Sequence, residues 1–171
     1  MNKFKAFSLL TIFSLALAGS LSALSIGRVG SSYEENGIVW QDVSYDNNDV
    51  GFVGSIPGSP KSGISSGYAF TYSRYLGVDY EINSTVNDRY TPPRKEKNFI
   101  QELEEDFKNE AKILAVPSNQ GKVKYIADMH FNDGKKVVRV FCSKNCLYYA
   151  IVEGNDLSLA PSFFDAIEIT K

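Results

Sequence analysis

The sequence has few of the side chains that build metal and haem centres. Its 171 residues include one His and two Cys, so zinc fingers, haem sites and iron–sulfur clusters lack the ligands that they need. An excess of basic charge is also missing, since 18 Lys and Arg stand against 20 Asp and Glu. This balance argues against nucleic acid as the main partner. With 43% hydrophobic and 22% charged residues, the composition is that of one ordinary globular domain.

The sequence contains no apolar run long enough to span a bilayer, and its clearest short run lies at the N-terminus. Lys3 and Lys5 precede the apolar residues 7–18, and small residues follow at 19–23. This order is typical of a secretory signal peptide, and the run falls short of the about 20 residues that a permanent transmembrane helix needs. We therefore predict a signal peptide at 1–23, with a buried N-terminal helix as the alternative. Cleavage is expected after one of three small residues: Ala18, Ser22 or Ala23.

The remaining chain is predicted to be a soluble, acidic protein. Loss of the two leader lysines leaves 16 basic residues against 20 acidic ones. We expect a periplasmic or secreted protein without a membrane span after cleavage. Residues 24–36 contain scattered Gly and Ser and show no period, which predicts a flexible leader. Residues 37–171 are predicted to form a single domain.

Two-residue alternation of apolar side chains indicates half-buried strands along much of this domain. Val78, Tyr80 and Ile82, for example, would share one face of a strand. An Asp-Gly pair at 133–134 is typical of a tight hairpin turn. The predicted strands are 38–45, 50–56, 68–75, 78–85, 123–130, 135–142 and 147–153.

Helical periodicity appears in two places. Phe99, Leu103, Phe107 and Leu114 fall on one apolar stripe of a helix, which Pro117 would end. A second, short helix is predicted to begin at Pro161, before a terminal strand. Strands combined with these helices predict an α+β fold, in which a largely antiparallel sheet is covered by helices.

Several segments resemble a known group of small exported bacterial proteins. Residues 50–60 (VGFVGSIPGSP) resemble a strand that ends in a Phe-Pro-Gly-x-Pro turn, with Ile56 in place of the usual aromatic residue. Residues 146–154 (CLYYAIVEG) and 162–169 (SFFDAIEI) resemble the closing strand and helix of the PsbP/Mog-like superfamily. The resemblance implies an α-β-α sandwich and an accessory or binding role, on a photosystem or a small GTPase, without a catalytic centre.

The two cysteines predict a disulfide bond. Cys142 and Cys146 flank a three-residue turn between two predicted strands, and exported compartments are oxidising. A bridge would require Cα atoms about 4.4–6.8 Å apart. A buried pair without a bridge is one alternative. A redox or metal pair is another, although the spacing is not Cys-x-x-Cys.

One short motif matches the consensus sequence around the nucleophile of serine hydrolases. Residues 63–67 match Gly-x-Ser-x-Gly around Ser65, and Asp128 and His130 follow in the order of a hydrolase triad. A nucleophile elbow requires a helix after the Ser, whereas a strand pattern follows here. Asp128 and His130 are also too few to close a zinc site. We therefore interpret residues 63–67 as a flexible connection, and we predict no catalytic residue, metal or cofactor.

Aromatic side chains are abundant, with ten Tyr and eleven Phe. Aromatic and Arg side chains dominate the energetics of many binding surfaces. A candidate binding face on the hairpin and the segment after it consists of Tyr72, Arg74, Tyr75, Tyr80 and Tyr90. Core packing is the alternative role for these side chains.

These observations together predict an exported, non-catalytic binding or accessory protein of the bacterial cell envelope. It would act through contacts with another protein, and not with nucleic acid. Two alternatives remain open: a small exported serine hydrolase that uses Ser65 with His130, and a secreted effector that binds a host protein.

Overall fold

A computed structural model describes residues 27–46, 50–65, 68–85, 91–144 and 146–171. The predicted signal peptide at 1–23 lies outside these residues. The described elements are, in chain order, β1 (Gly27–Glu35), β2 (Ile38–Asp46), β3 (Gly51–Pro57), β4 (Lys61–Ser65), β5 (Tyr68–Tyr75), β6 (Val78–Thr85), α1 (Glu96–Asp106), β7 (Ala111–Val116), β8 (Val123–Phe131), β9 (Lys136–Ser143), β10 (Leu147–Glu153), α2 (Ala160–Asp165) and β11 (Glu168–Ile169).

The strands form two antiparallel sheets. The smaller sheet has four strands in the order β1-β2-β3-β11, and the larger has seven in the order β4-β5-β6-β10-β9-β8-β7. Strand β10 is central in the larger sheet, and it is buried at every position except Glu153. Its run of apolar side chains suits a strand that is covered on both faces.

The core has two layers, one on each face of the larger sheet. The first layer combines side chains from both sheets and from α2, including Trp40, Phe52, Tyr148 and Phe163. The second layer packs Phe99, Leu103 and Phe107 of α1 and its C-terminal end against β8, β9 and β10. Seen through the molecule, the order is therefore small sheet, large sheet, helix α1.

The predicted α+β fold with helices covering a sheet is wrong, and so is the α-β-α sandwich that the resemblance implies. The described chain is mostly β, with two antiparallel sheets and two helices. The apolar side chains of β2 and β3, such as Val43 and Phe52, are buried against the larger sheet. The smaller sheet therefore takes the place of a second helical layer. The expectation fails because the apolar face of a sheet can be buried equally well by another sheet or by helices.

The first predicted helix is too long. Helix α1 ends at Asp106, and Asn109 has a positive φ of 67° that is incompatible with continued helix. Residues Ala111–Val116 form β7 instead, paired with β8. Pairing with an available sheet edge therefore overrides a helical apolar period that extends to Leu114.

Part of the predicted flexible leader forms a strand. Gly27–Glu35 is β1, joined to β2 by a two-residue turn at Asn36 and Gly37, whose φ values are 53° and 76°. Two positive φ values are typical of the type I′ turn, which suits the twist of a β-hairpin. Eight of the nine β1 residues are exposed, so this strand carries no apolar alternation.

Candidate functional site

The predicted disulfide between Cys142 and Cys146 is wrong, because the two residues are not bonded to each other. In the β9–β10 ladder, Cys142 lies opposite Leu147. Successive residues of a strand point to opposite faces, and Cys146 packs between the sheets whereas Cys142 packs on the α1 side. Both residues are at most 1% exposed. The sheet itself thus separates the two thiols.

The hydrolase constellation is not assembled. Residues 63–65 belong to strand β4, so their interpretation as part of a flexible connection is wrong, and residues 66–67 lie outside the described chain. From Tyr68 the chain pairs antiparallel with β4 as β5, whereas a nucleophile elbow requires a helix after the Ser. His130 is exposed on β8, and strands β5, β6, β10 and β9 lie between β4 and β8. These five inter-strand steps are about 4.8 Å each. Asp128 binds Arg139 through both carboxylate oxygens, at 2.8 and 3.0 Å.

The predicted aromatic face is largely packed into the fold. Tyr80 is 1% exposed and its ring contacts Phe163 edge-on, with centroids 5.5 Å apart, so the inclusion of Tyr80 in an exposed face is wrong. Tyr75 is partly buried against the same core layer, and Tyr90 lies outside the described residues.

The other two members of that face interact with one carboxylate. The Tyr72 hydroxyl donates a 2.7 Å hydrogen bond to Asp79 Oδ1, and Arg74 Nε lies 3.7 Å from the same oxygen. Burial, together with this hydrogen bond, raises the pKa of Tyr72 to about 12. Arg74 is exposed and is the described member of the set that is most accessible to a partner.

A different surface has the shape of a binding site. An open groove with a volume of about 890 Å³ runs along the small sheet. Residues of β1, β2 and β3 line it, together with the loop at 119–121 and the segment 165–168 that joins α2 to β11. On β2 and β3, Val43 and Phe52 face the core, so by strand alternation Asp42, Ser44 and Val53 face outward.

A β-bulge shapes one side of this groove. The β1–β2 register shifts between Val29 and Ser32, and the Ser31 hydroxyl donates to Asp42 Oδ2 at 3.2 Å. A Cβ atom at Gly30 would lie 3.2 Å from the Cβ of Asp42, a contact tighter than most real Cβ contacts. Bulges of this kind commonly lie beside functional sites, where they redirect a side chain.

Hydrogen bonds fix the residues of the groove on β2 and β3, which form its floor, and in the loop at 119–121 and the segment 165–169, which form its far wall. Asp42 also accepts a 2.9 Å hydrogen bond from the Ser55 hydroxyl on β3. On the far wall, Gln120 Nε2 donates to the carbonyl of Ile167 at 2.7 Å, and Gln120 Oε1 accepts from the amide of Ile169 at 2.9 Å. These contacts tie the loop at 119–121 to the segment that contains β11.

Asp165, at the end of α2, is positioned by Arg139. Arg139 Nη1 donates to Asp165 Oδ1 at 2.9 Å, and the guanidinium carbon lies 5.0 Å from the centre of the Phe164 ring. The same guanidinium makes the paired contact with Asp128 described above. Arg139 thereby links α2 to β8 and β9, and it holds Asp165 at the groove while leaving that side chain 76% exposed.

The groove carries more acidic than basic groups. Its described lining includes three carboxylates, those of Asp42, Asp165 and Glu168, and one basic side chain, that of Arg28. Two apolar side chains are also partly open to solvent there: Val29 is 43% exposed and Val53 is 40% exposed. Among the described residues, no group of three or more His, Cys, Asp or Glu side chains is arranged to hold a metal ion.

A second polar feature lies on the α1 side of the larger sheet. Glu81 and Asn83 on β6 are 6% and 4% exposed. Neither amide atom of Asn83 makes a hydrogen bond of acceptable geometry within the described part of the chain. Burial raises the pKa of Glu81 to about 7, and the charges of Asp79 and Glu153 act in the same direction. The nearby amide of Asn83, although its geometry is too poor for a full hydrogen bond, and the charge of Lys136 lower this pKa. This carboxyl therefore changes its protonation state near neutral pH.

Sequence reasoning did not find the groove, because its residues come from separate parts of the chain. Asp42 lies on β2, Gln120 in a loop and Glu168 on β11. No local motif joins them. The β2–β3 and β3–β11 pairings and the hydrogen bonds of Gln120 to Ile167 and Ile169 bring their segments together.

Comparison with known proteins identifies no relative: no family model, no curated protein and no solved structure matches this chain. The resemblance to the PsbP/Mog-like superfamily therefore stays a prediction. In the described residues, neither helix has the length and apolar character needed to cross a membrane.

Proposed function

We propose that this chain is an exported, non-catalytic binding or accessory protein of the bacterial cell envelope, and that the groove along the small sheet is where it contacts a partner protein. The observation that carries the proposal is the groove itself, in which two partly exposed valines lie among polar side chains. Protein interfaces combine apolar and polar surface in this way. The export step rests on the N-terminal sequence pattern.

The hydrogen bonds around the groove also favour binding. Asp42 is held by two serine hydroxyls, and Gln120 is held by two backbone groups of the β11 segment. A surface that is fixed before binding loses less conformational entropy when a partner arrives. The groove is thus suited to bind a partner of complementary shape without a rearrangement of its own side chains.

The non-catalytic part of the proposal is supported by the position of the hydrolase candidates. Ser65 lies on an edge strand of the larger sheet, and His130 lies on the strand next to the opposite edge. Nucleophilic catalysis requires a nucleophile and a base within about 2.6–3.2 Å of each other. A serine-reactive phosphonate probe that labels the wild type but not Ser65→Ala would contradict this part.

Site-directed photo-crosslinking in the native cell tests the contact surface. A photoreactive residue replaces Val53, on the outward face of β3 in the groove, and in a matched control it replaces Glu104, an exposed residue of α1. Helix α1 packs on the far side of the larger sheet, so the control samples the opposite side of the molecule. We expect the Val53 position to give a discrete crosslinked protein that the Glu104 position does not give.

Two results would count against this proposal. If both positions capture the same proteins, or if neither captures any, the groove is not the contact surface. A crosslink to a host protein, found only when host material is present, would favour the effector alternative over an envelope role.

A further inference from the structure

We infer that the groove binds an extended segment of its partner in which Lys or Arg side chains alternate with apolar ones. This inference rests on the proposed function, because it describes what the partner presents to the same surface. It is a statement about the chemistry of the partner, and it can fail while the groove remains a contact surface.

The charge of the groove favours a basic segment. The described residues that line the groove include three carboxylates and only one guanidinium, that of Arg28. A patch of one sign attracts the opposite sign and repels its own, which selects partners and speeds encounter. An acidic segment would meet like charge from three separate positions.

The carboxylates can accept further hydrogen bonds. Arg139 occupies only Oδ1 of Asp165, and this side chain is 76% exposed. Each oxygen of Asp42 accepts one serine hydroxyl, whereas a carboxylate has about four acceptor positions in total. Glu168 is exposed on β11. All three groups can therefore meet an ammonium or guanidinium group without losing their present contacts.

The arrangement suits a chain better than a single cation. The carboxylates belong to three different segments, β2, the end of α2 and β11, and the described residues contain no metal-holding group of three. An extended polypeptide advances about 3.3 Å per residue and directs alternate side chains to opposite sides. Basic side chains on one side could then reach successive carboxylates.

The apolar side chains of the groove suit the apolar residues that would alternate with Lys or Arg in the bound segment. Val29 and Val53 are partly exposed in the lining, at 43% and 40%. Small apolar side chains of an extended segment would cover them while the neighbouring basic side chains point to the carboxylates. A volume of about 890 Å³ lies near the upper end of the roughly 300–1,000 Å³ of small-molecule sites, which suits several residues of a peptide.

Peptide binding to the purified full chain tests this inference. The probes are three short fluorescent peptides of equal length that alternate Val with Lys, with Gln or with Glu. We expect saturable binding of the Lys–Val peptide, weaker at high salt because ionic attraction is screened. Glu168→Lys should weaken this binding by about 1.5- to 5-fold, which is the range of exposed ion pairs. The charge-matched control Glu104→Lys should leave it unchanged.

Each other outcome overturns the inference. If the Gln–Val or Glu–Val peptide binds as tightly as the Lys–Val peptide, the groove does not select basic segments. If Glu168→Lys and Glu104→Lys weaken binding equally, the peptide binds through overall charge and not in the groove. If none of the three peptides binds, the segment is of another kind. The photo-crosslink at Val53 is read separately, so the proposed function can survive any of these results.

Discussion

Gln120 pairs with Ile169 as a neighbouring strand would. Its side-chain amide accepts a 2.9 Å hydrogen bond from the Ile169 amide and donates a 2.7 Å one to the carbonyl of Ile167. Strand β11 has only two residues, and it pairs with β3 on its other side. A single side chain therefore completes the edge of the small sheet and closes one wall of the groove.

Replacement of this amide should loosen the β11 segment. We expect Gln120→Ala to lower the free energy of unfolding by about 1–2 kcal/mol, because two backbone groups lose their partner. The amide of Ile169 should also exchange faster with solvent. Urea denaturation and hydrogen exchange measure these effects. Asn119→Ala, at the exposed neighbouring position, is the control and should change little; equal effects of the two variants would argue against a special role for Gln120.

The pKa of Glu81 predicts how stability depends on pH. Burial raises this pKa from 4.5 to about 7, so between these values the folded chain holds a proton that the unfolded chain releases. Stability contributed by Glu81 is therefore present at low pH, is lost as pH rises through this window, and stays lost above it. The loss amounts to about 3 kcal/mol.

Glu81→Gln isolates this effect, because glutamine resembles the protonated carboxyl. Its unfolding free energy should exceed that of the wild type by about 3 kcal/mol at pH 8, and the difference should shrink towards pH 5. Urea denaturation at the two pH values measures this, with the exposed Glu104→Gln as control. A difference between Glu81→Gln and wild type that does not vary with pH would show that Glu81 does not titrate in this window.

The cysteines should behave as buried thiols. Thiol titration of the denatured, unreduced chain should find two reactive groups, since Cys142 and Cys146 are not bridged. The native chain should react far more slowly, because both residues are at most 1% exposed and reaction needs an accessible thiolate. Detection of no thiol after denaturation would mean that the two residues are oxidised, which would require a different β9–β10 register.

Arg139 should be important for stability. Its paired contact with Asp128 is largely shielded, since both side chains are 15% exposed, and it also binds Asp165. Arg139→Met would leave the Asp128 charge without this partner, and we expect a loss of about 3 kcal/mol. Arg139→Lys should recover only part of it, because an ammonium cannot form the two parallel hydrogen bonds. Similar stability of wild type and Arg139→Met would contradict this account.

The strand pattern of the domain was predictable from the sequence. Seven predicted strands match β2, β3, β5, β6, β8, β9 and β10. The shared face of Val78, Tyr80 and Ile82 is confirmed, since all three belong to the core layer between the sheets. The short helix at Pro161 is also confirmed, within one residue of its start.

The missed elements lack a local signal, or carry a misleading one. Strand β1 is exposed at nearly every position, so it has no apolar alternation. Residues Ala111–Val116 continue a helical stripe, although they pair with β8 as β7. Alternation also shows that Tyr80 shares a face with Val78 and Ile82, but it does not show whether that face is covered. Alternation alone therefore cannot distinguish a core role for Tyr80 from a role in binding.

The sequence by itself determined where most strands run and which of their side chains lie together, because a strand's two faces alternate with every residue. Tertiary structure alone decided what covers each face, how strands align and which distant residues meet. It placed the two cysteines on opposite sides of one sheet, and it brought Asp42, Gln120 and Glu168 to one groove. The reason is physical: register and packing depend on contacts between residues far apart in the chain, and no short stretch of sequence contains them.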